Sequence, residues 1–193
     1  GLGKLSMASN TDYYEKAFAY CDVLIIGSGP SGLMAALTAA KTGAQVILCE
    51  EDYVFGGRLN SENIDIDGQP GHMWVADKIE ELNGMENVRC MSRTTVTGAY
   101  DGGTYAAIER VSHHIKDKEE FLPVENFWRI VAKGVVYAAG AIERSIAFQN
   151  NDRPGIFTAS AVRGYLNRYG VVGGEKAVIF GNNNDAFKTA KDL

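Results

Sequence analysis

Cysteine is scarce in this 193-residue chain: Cys21, Cys49 and Cys90 make an odd number, with no C-x-x-C pair and no metal-type spacing. That argues against disulfide staples and against a redox dithiol. Cys21 and Cys49 flank or sit in apolar strand-like runs, where a thiol serves as a small hydrophobe. Histidine is as rare. His72, alone beside Gly71, reads as structural, and adjacent His113 and His114 on a strand would point to opposite faces and not readily share a metal. No metal site is expected. Positive charge is not in excess either, since 19 Lys and Arg face 24 Asp and Glu for a net charge of −5. No basic stripe could neutralise a run of phosphates, so nucleic acid is not an expected partner. No apolar run approaches the ~20 residues of a membrane span. The first residues, Asp12 and Glu15 among them, lack a signal-peptide hydrophobic region, and the expectation is a cytoplasmic chain with no membrane partner.

Glycine, by contrast, is abundant. There are 22 glycines against 4 prolines in a chain that is 46% hydrophobic and 22% charged, an ordinary globular composition that excludes disorder and allows one medium domain, or one and a part. The β-branched run Asp22 to Ile26 turns into Gly27-Ser28-Gly29-Pro30-Ser31-Gly32, then into Leu33, Ala36, Leu37 and Ala40 at helical spacing. The order is strand, tight turn, helix. On the G-x-G-x-x-G pattern, Gly27 allows the bend, Gly29 lets a pyrophosphate approach the backbone, and Gly32 lets helix and strand pack closely. The helix N-terminus supplies free N–H groups for phosphates, with Pro30 and Ser31 in its first turn.

A second strand, Gln45 to Cys49, ends at Glu50, eighteen residues after Gly32. That is the separation at which an acid meets the adenosine ribose. Glu50 is expected to accept hydrogen bonds from the ribose hydroxyls, with Glu51 and Asp52 sharing the task, and a carboxylate there favours NAD or FAD over NADP. The loop does not distinguish FAD from NAD, because both present the same ADP half.

Phe55-Gly56-Gly57-Arg58 forms a second glycine turn that returns beneath the pyrophosphate, with Gly57 near it and Arg58 offered to a phosphate or carboxamide. Val75, Ile79 and Leu82 mark a helix over residues 73 to 83 capped by Gly84, with Met73 and Trp74 finishing its core. Asn87 to Ser92 reads as a third strand that delivers Thr95 and Val96 to the adenine edge. A hairpin about Asp101-Gly102-Gly103 follows, and then a strand-like run from Phe127 to Ala132. Lys116 to Glu120 is a solvated charge run. Val135 to Tyr137 is a further buried strand, entering a small-residue turn that brings Ala139 and Gly140 to the cofactor. Val162, Tyr165, Leu166 and Tyr169 mark a helix face closed by Gly170. Lys176 to Phe180 is predicted as a strand entering Gly181-Asn182-Asn183-Asn184-Asp185-Ala186, a second dinucleotide-type loop, with a helix from Phe187. Asn183 and Ala186 stand at two of its three glycine positions.

Several blocks together resemble the alpha subunits of heterotetrameric sarcosine oxidases: Cys21 to Gly32, Phe55-Gly56-Gly57, Arg93-Thr94-Thr95, Ala139 to Arg144, and above all Asn150 to Gly155 and Ala159 to Gly170. The resemblance covers essentially the whole chain. It implies an α/β fold: a Rossmann-like three-layer dinucleotide-binding domain of the two-dinucleotide-binding-domain flavoprotein type, with an inserted antiparallel β-meander. Residues 1–20 would be a linker from a preceding ferredoxin-like domain, Gly1-Leu2-Gly3-Lys4 included. Residues 21–170 would form the first dinucleotide-binding domain, with the meander at about 95–132, and 171–193 the start of a second unit, truncated in an interior fragment. The resemblance further implies non-covalently held NAD here, FAD and FMN in a partner subunit or its interface, and beta, gamma and delta-type partner subunits. An amine such as sarcosine would be the substrate of the assembly. No catalytic residue is assigned, and the fragment by itself is expected to be inactive. The rivals are a FAD-binding subunit of an amine or imino-acid dehydrogenase or an NADH-dependent flavin reductase, and a non-catalytic scaffold with a vestigial nucleotide site.

Overall fold

A computed structural model describes residues 3–193, so Gly1 and Leu2 of the expected linker lie outside the described residues. Strand β1 (Tyr14–Ile26) leads into helix α1 (Pro30–Lys41) and strand β2 (Val46–Cys49). A 3-10 turn (Gly57–Asn60) and a small hairpin, β3 (Asp65–Ile66) and β4 (Gln69–Pro70), precede helix α2 (Gly71–Asn83). Strands β5 (Val88–Met91), β6 (Thr94–Tyr100), β7 (Thr104–Arg110) and β8 (Glu125–Tyr137) follow. Helices α3 (Ala159–Arg163), continued by a π-helical turn (Gly164–Arg168), and α4 (Asp185–Asp192) come last.

One six-stranded sheet has the order β5-β2-β1-β8-β7-β6. Its first four strands are parallel and the β8-β7-β6 part is an antiparallel meander. Alternation along β2 sorts the core: Val46 and Leu48 join Leu33, Leu37, Trp74 and Leu82 under the two helices, whereas Ile47 and Cys49 join Tyr105, Trp128 and Ile130 on the other face. The Arg89 guanidinium of β5 lies 4.3 Å from the ring centroid of Trp128 on β8, three strands away in the order. Flat neighbouring strands sit about 4.8 Å apart, so this contact requires the sheet to coil until the meander covers the helix-free face. Helices, parallel strands and meander make the three layers of a Rossmann-like α/β fold.

Several boundaries differ from the sequence reading. β1 begins at Tyr14 instead of near Cys21, pairing with β8 from Tyr14↔Glu125 to Ile26↔Tyr137, so residues 14–20 belong to the sheet and not to a linker. Ala19 and Cys21 point into the core while Phe18 and Tyr20 face out, the period of a half-buried strand. The runs from Phe127 and from Val135 are one strand, because Gly134 between them keeps negative φ and breaks nothing. Arg93 at φ +54° turns the chain after β5, so Thr95 and Val96 begin the meander and do not extend the third parallel strand. Met73 is 51% exposed and takes no part in the core that Trp74 closes. Lys176 to Phe180 forms no strand: Val178 is 96% exposed and, among the described residues, no strand lies alongside to supply ladder hydrogen bonds. The last helix forms, but begins two residues earlier than read, at Asp185.

Candidate dinucleotide site

The parallel strands deliver their C-terminal ends to one edge, and the glycine loop sits there. Gly27 has φ +96°, its N–H donates to the Cys49 carbonyl at 2.8 Å, and a Cβ on it would stand 2.5 Å from the Ala138 carbonyl oxygen. A Cβ on Gly32 would stand 1.9 Å from the Gly27 oxygen. Both positions are closed to any side chain by the protein itself. Gly29 differs, since nothing lies within 4 Å of its Cβ position and the space in front of it is open. Gly29 is also the N-cap of α1, with no side-chain cap and no acid in the first turn. With Pro30 at N1, the N–H groups of Ser31 and Gly32 have no partner within the helix and face an approaching anion.

The second glycine turn meets the first, as its spacing predicts. The Gly56 N–H donates to Ser28 Oγ at 3.0 Å, and the Cβ position of Gly57, at φ +53°, is 3.1 Å from Gly29 Cα. On the other side, the Ala138 N–H donates to the Ile26 carbonyl at 2.8 Å, which carries Ala139 and Gly140 to the loop's flank. Gly140, at φ +72°, has open space at its Cβ position.

Glu50 stands where β2 ends, but it is only 7% exposed and largely engaged by the chain. Its Oε2 accepts the Ser28 N–H at 2.9 Å and the Ser28 hydroxyl at 2.5 Å, and its Oε1 accepts the Asp52 N–H at 2.9 Å. A carboxylate offers about four acceptor positions, so one, on Oε1, is left unfilled. Ser28 is thus turned inward, away from the pyrophosphate position.

Asp52, expected to share the ribose role, is itself engaged within the chain, where its Oδ1 accepts the Tyr53 N–H at 2.7 Å. Both its oxygens accept from Arg168, at 2.6 and 3.0 Å, a bidentate pair. Burial alone would raise this carboxyl, and the Arg168 hydrogen bonds and charge outweigh it, holding Asp52 below the usual carboxylate range. Arg168 also lies over the Tyr53 ring at 4.8 Å. Glu51 is exposed, and its carbonyl accepts from the Arg110 guanidinium. Arg58 likewise departs from expectation: its guanidinium contacts Glu62 at 2.5 Å and Asp185 at 3.4 Å, not the glycine loop. Val96 packs against the core and Thr95 pairs with Ile108. It is the Thr94 N–H that reaches the acid's backbone, donating to the Glu50 carbonyl at 2.7 Å. His113 lies 3.2 Å from Glu125, and His72 is exposed on α2.

Arg168, Arg110, Arg163 and Asp185 were not singled out by sequence reasoning. Arg163 is 2% exposed and pairs with Asp185 at 2.5 Å, tying α3 to α4 beside the second glycine turn. No local pattern announces such pairs, whose members lie 22 and 116 residues apart.

The cradle at Gly29, the free amides of α1 and the remaining Glu50 acceptor fit the pyrophosphate and ribose of an ADP-containing dinucleotide. Known proteins agree with this reading of the fold. The chain is 47% identical over its whole length to sarcosine oxidase subunit alpha of Rhizobium meliloti, and 40% identical to that of a Corynebacterium species. It spans about a fifth of the length of those relatives. Among solved structures, L-proline dehydrogenase from P. horikoshii superposes with a TM-score of 0.74 at 28% identity, over 94% of this chain and 34% of that one. Residues 22–133, more than half of the chain, match the family model of FAD dependent oxidoreductases. A chain with this glycine loop, this coiled sheet and that match over both belongs to the FAD-dependent oxidoreductase family.

Proposed function

We propose that this chain is the NAD-binding portion of the alpha subunit of a multimeric sarcosine oxidase. The observation that carries the binding role is the open cradle at Gly29, bounded by Gly57 and by uncapped α1 amides. The choice of NAD, and of this assembly, is supported by the resemblance to sarcosine oxidase alpha subunits over the whole chain. The pyrophosphate lies against Gly27, Gly29, Ser31 and Gly32, with Pro30 shaping the turn and Gly57 at its back. Glu50 Oε1 accepts a ribose hydroxyl, and Ala139 and Gly140 flank the nicotinamide half. The dinucleotide here is structural or regulatory. FAD and FMN at a partner subunit or its interface would oxidise the secondary amine, with beta, gamma and delta-type subunits completing the assembly. Calorimetry with NAD and FAD tests the reading: NAD binds the wild-type chain and fails to bind Gly29→Val, whose side chain fills the cradle. Equal binding by the variant would remove the loop from the site.

A second reading has its own support. The family match and the L-proline dehydrogenase superposition favour FAD in the same loop, as in a FAD-binding subunit of an amine or imino-acid dehydrogenase. The same titration separates the two, because FAD then binds in preference to NAD.

A further inference from the structure

Ser28 is fully buried, and its N–H and hydroxyl both reach neighbours in the site. Its N–H and its hydroxyl both donate to Oε2 of Glu50, and its Oγ accepts the Gly56 N–H of the second glycine turn. Two donors fill the two acceptor positions of Oε2, and the Asp52 N–H takes one of the two on Oε1. A carboxylate with both oxygens free could take two adjacent ribose hydroxyls, one on each. This one cannot. We infer that Ser28 is a positioning residue that restricts Glu50 to a single ribose hydroxyl, by occupying Oε2 and fixing which oxygen faces the ligand.

The inference rests on the dinucleotide reading above and adds to it. The order of the chain explains why one small side chain can do this. Ser28 is the first variable position of the glycine loop, just beyond β1, and Glu50 is the first residue beyond β2. The parallel pairing Ile26↔Cys49 brings the two strand ends level. A hydroxyl at that position reaches the carboxylate directly, whereas a glycine or alanine would leave only the N–H on Oε2. The same hydroxyl, through Gly56, ties the acid to the turn that backs the pyrophosphate position, so acid and turn share one fixed point.

The test uses ADP, 2′-deoxy-ADP and 3′-deoxy-ADP as probes in calorimetric titrations of the whole chain. In the wild type, one deoxy analogue binds about tenfold or more weakly than ADP, the scale of one hydrogen bond to a charged acceptor. The other binds within about threefold of ADP. In Ser28→Ala the difference between the two analogues collapses to less than about threefold, because the carboxylate is no longer held to one oxygen. Ser28→Thr, which keeps the hydroxyl, restores the difference. A merely structural serine would weaken all three ligands together and leave their ratio unchanged, and that result would overturn the inference. Equal penalties for both analogues in the wild type would overturn it as well, without any variant having to fold. Wild-type protein that binds none of the three would remove the dinucleotide reading itself, a failure separable from the other two.

Discussion

In the proposed dinucleotide site Glu50 is both a ligand group and a structural one, and the two roles predict two effects of removing it. Glu50→Ala loses one hydrogen bond to the ribose, weakening dinucleotide binding by about 1 to 3 kcal/mol. It also strands the buried Ser28 amide and the part-buried Asp52 amide, which lowers folding stability by about 1 to 3 kcal/mol. Calorimetry and thermal unfolding read the two separately, and unchanged affinity would take Glu50 out of the site. The glycines split in the same way. Gly29→Val keeps the fold and loses the ligand, because the space at its Cβ is empty. Gly32→Ala drives a methyl to within 1.9 Å of a carbonyl oxygen and destabilises the fold by about 3 kcal/mol, the upper end of overpacking costs. An alanine variant as stable as wild type, judged by denaturant midpoint, would contradict the close packing of helix on strand. The positions of these glycines and of the acid were legible in the sequence because the pattern is local. Ser28's grip on Glu50 was not, since it depends on which strand ends lie side by side.

At the scale of elements, the clearest device is the link between the loop after β2 and the π turn. Asp52 and Arg168 are both partly buried, and the pair joins segments that no strand pairing connects. Because the Asp52 carboxyl is lowered in the folded chain, its stabilisation is fully present above the unfolded value of about 3.9 and is lost as pH falls through the lower folded value. Arg168→Ala should therefore cost about 1 kcal/mol near neutral pH and less near pH 2, where Asp52 is progressively protonated. Thermal midpoints measured at both pH values check this, and a deficit of equal size at both would show that Arg168 acts through packing on Tyr53 instead. Element types were largely readable from periodicity, and element ends were not. Tyr14 to Tyr20 alternates as a strand does, but only the long edge of β8 gives it a partner. Lys176 to Phe180 has the composition of a strand, and without a neighbour to pair with it stays exposed and outside the sheet.

For the molecule as a whole, the order of strand, glycine loop, helix, strand and acid pointed to the dinucleotide-binding unit and the glycine turn at Asp101 to the hairpin, while the resemblance supplied the three-layer fold class. The coiling of the sheet was not legible, because it arises from twist summed over six strands and is visible only in contacts such as Arg89 on Trp128. That coil leaves one edge where β1, β2 and β8 end together, and the glycine turns, Glu50 and the Ala138 to Gly140 segment converge there. The NAD account stands or falls at that edge. The most direct measurement is to denature the purified protein, extract any bound nucleotide and identify it by mass spectrometry, with a visible absorption spectrum of the intact sample. The account predicts NAD and no flavin bands. FAD in the extract, or a protein that carries no nucleotide and takes up none when NAD is added, would contradict it.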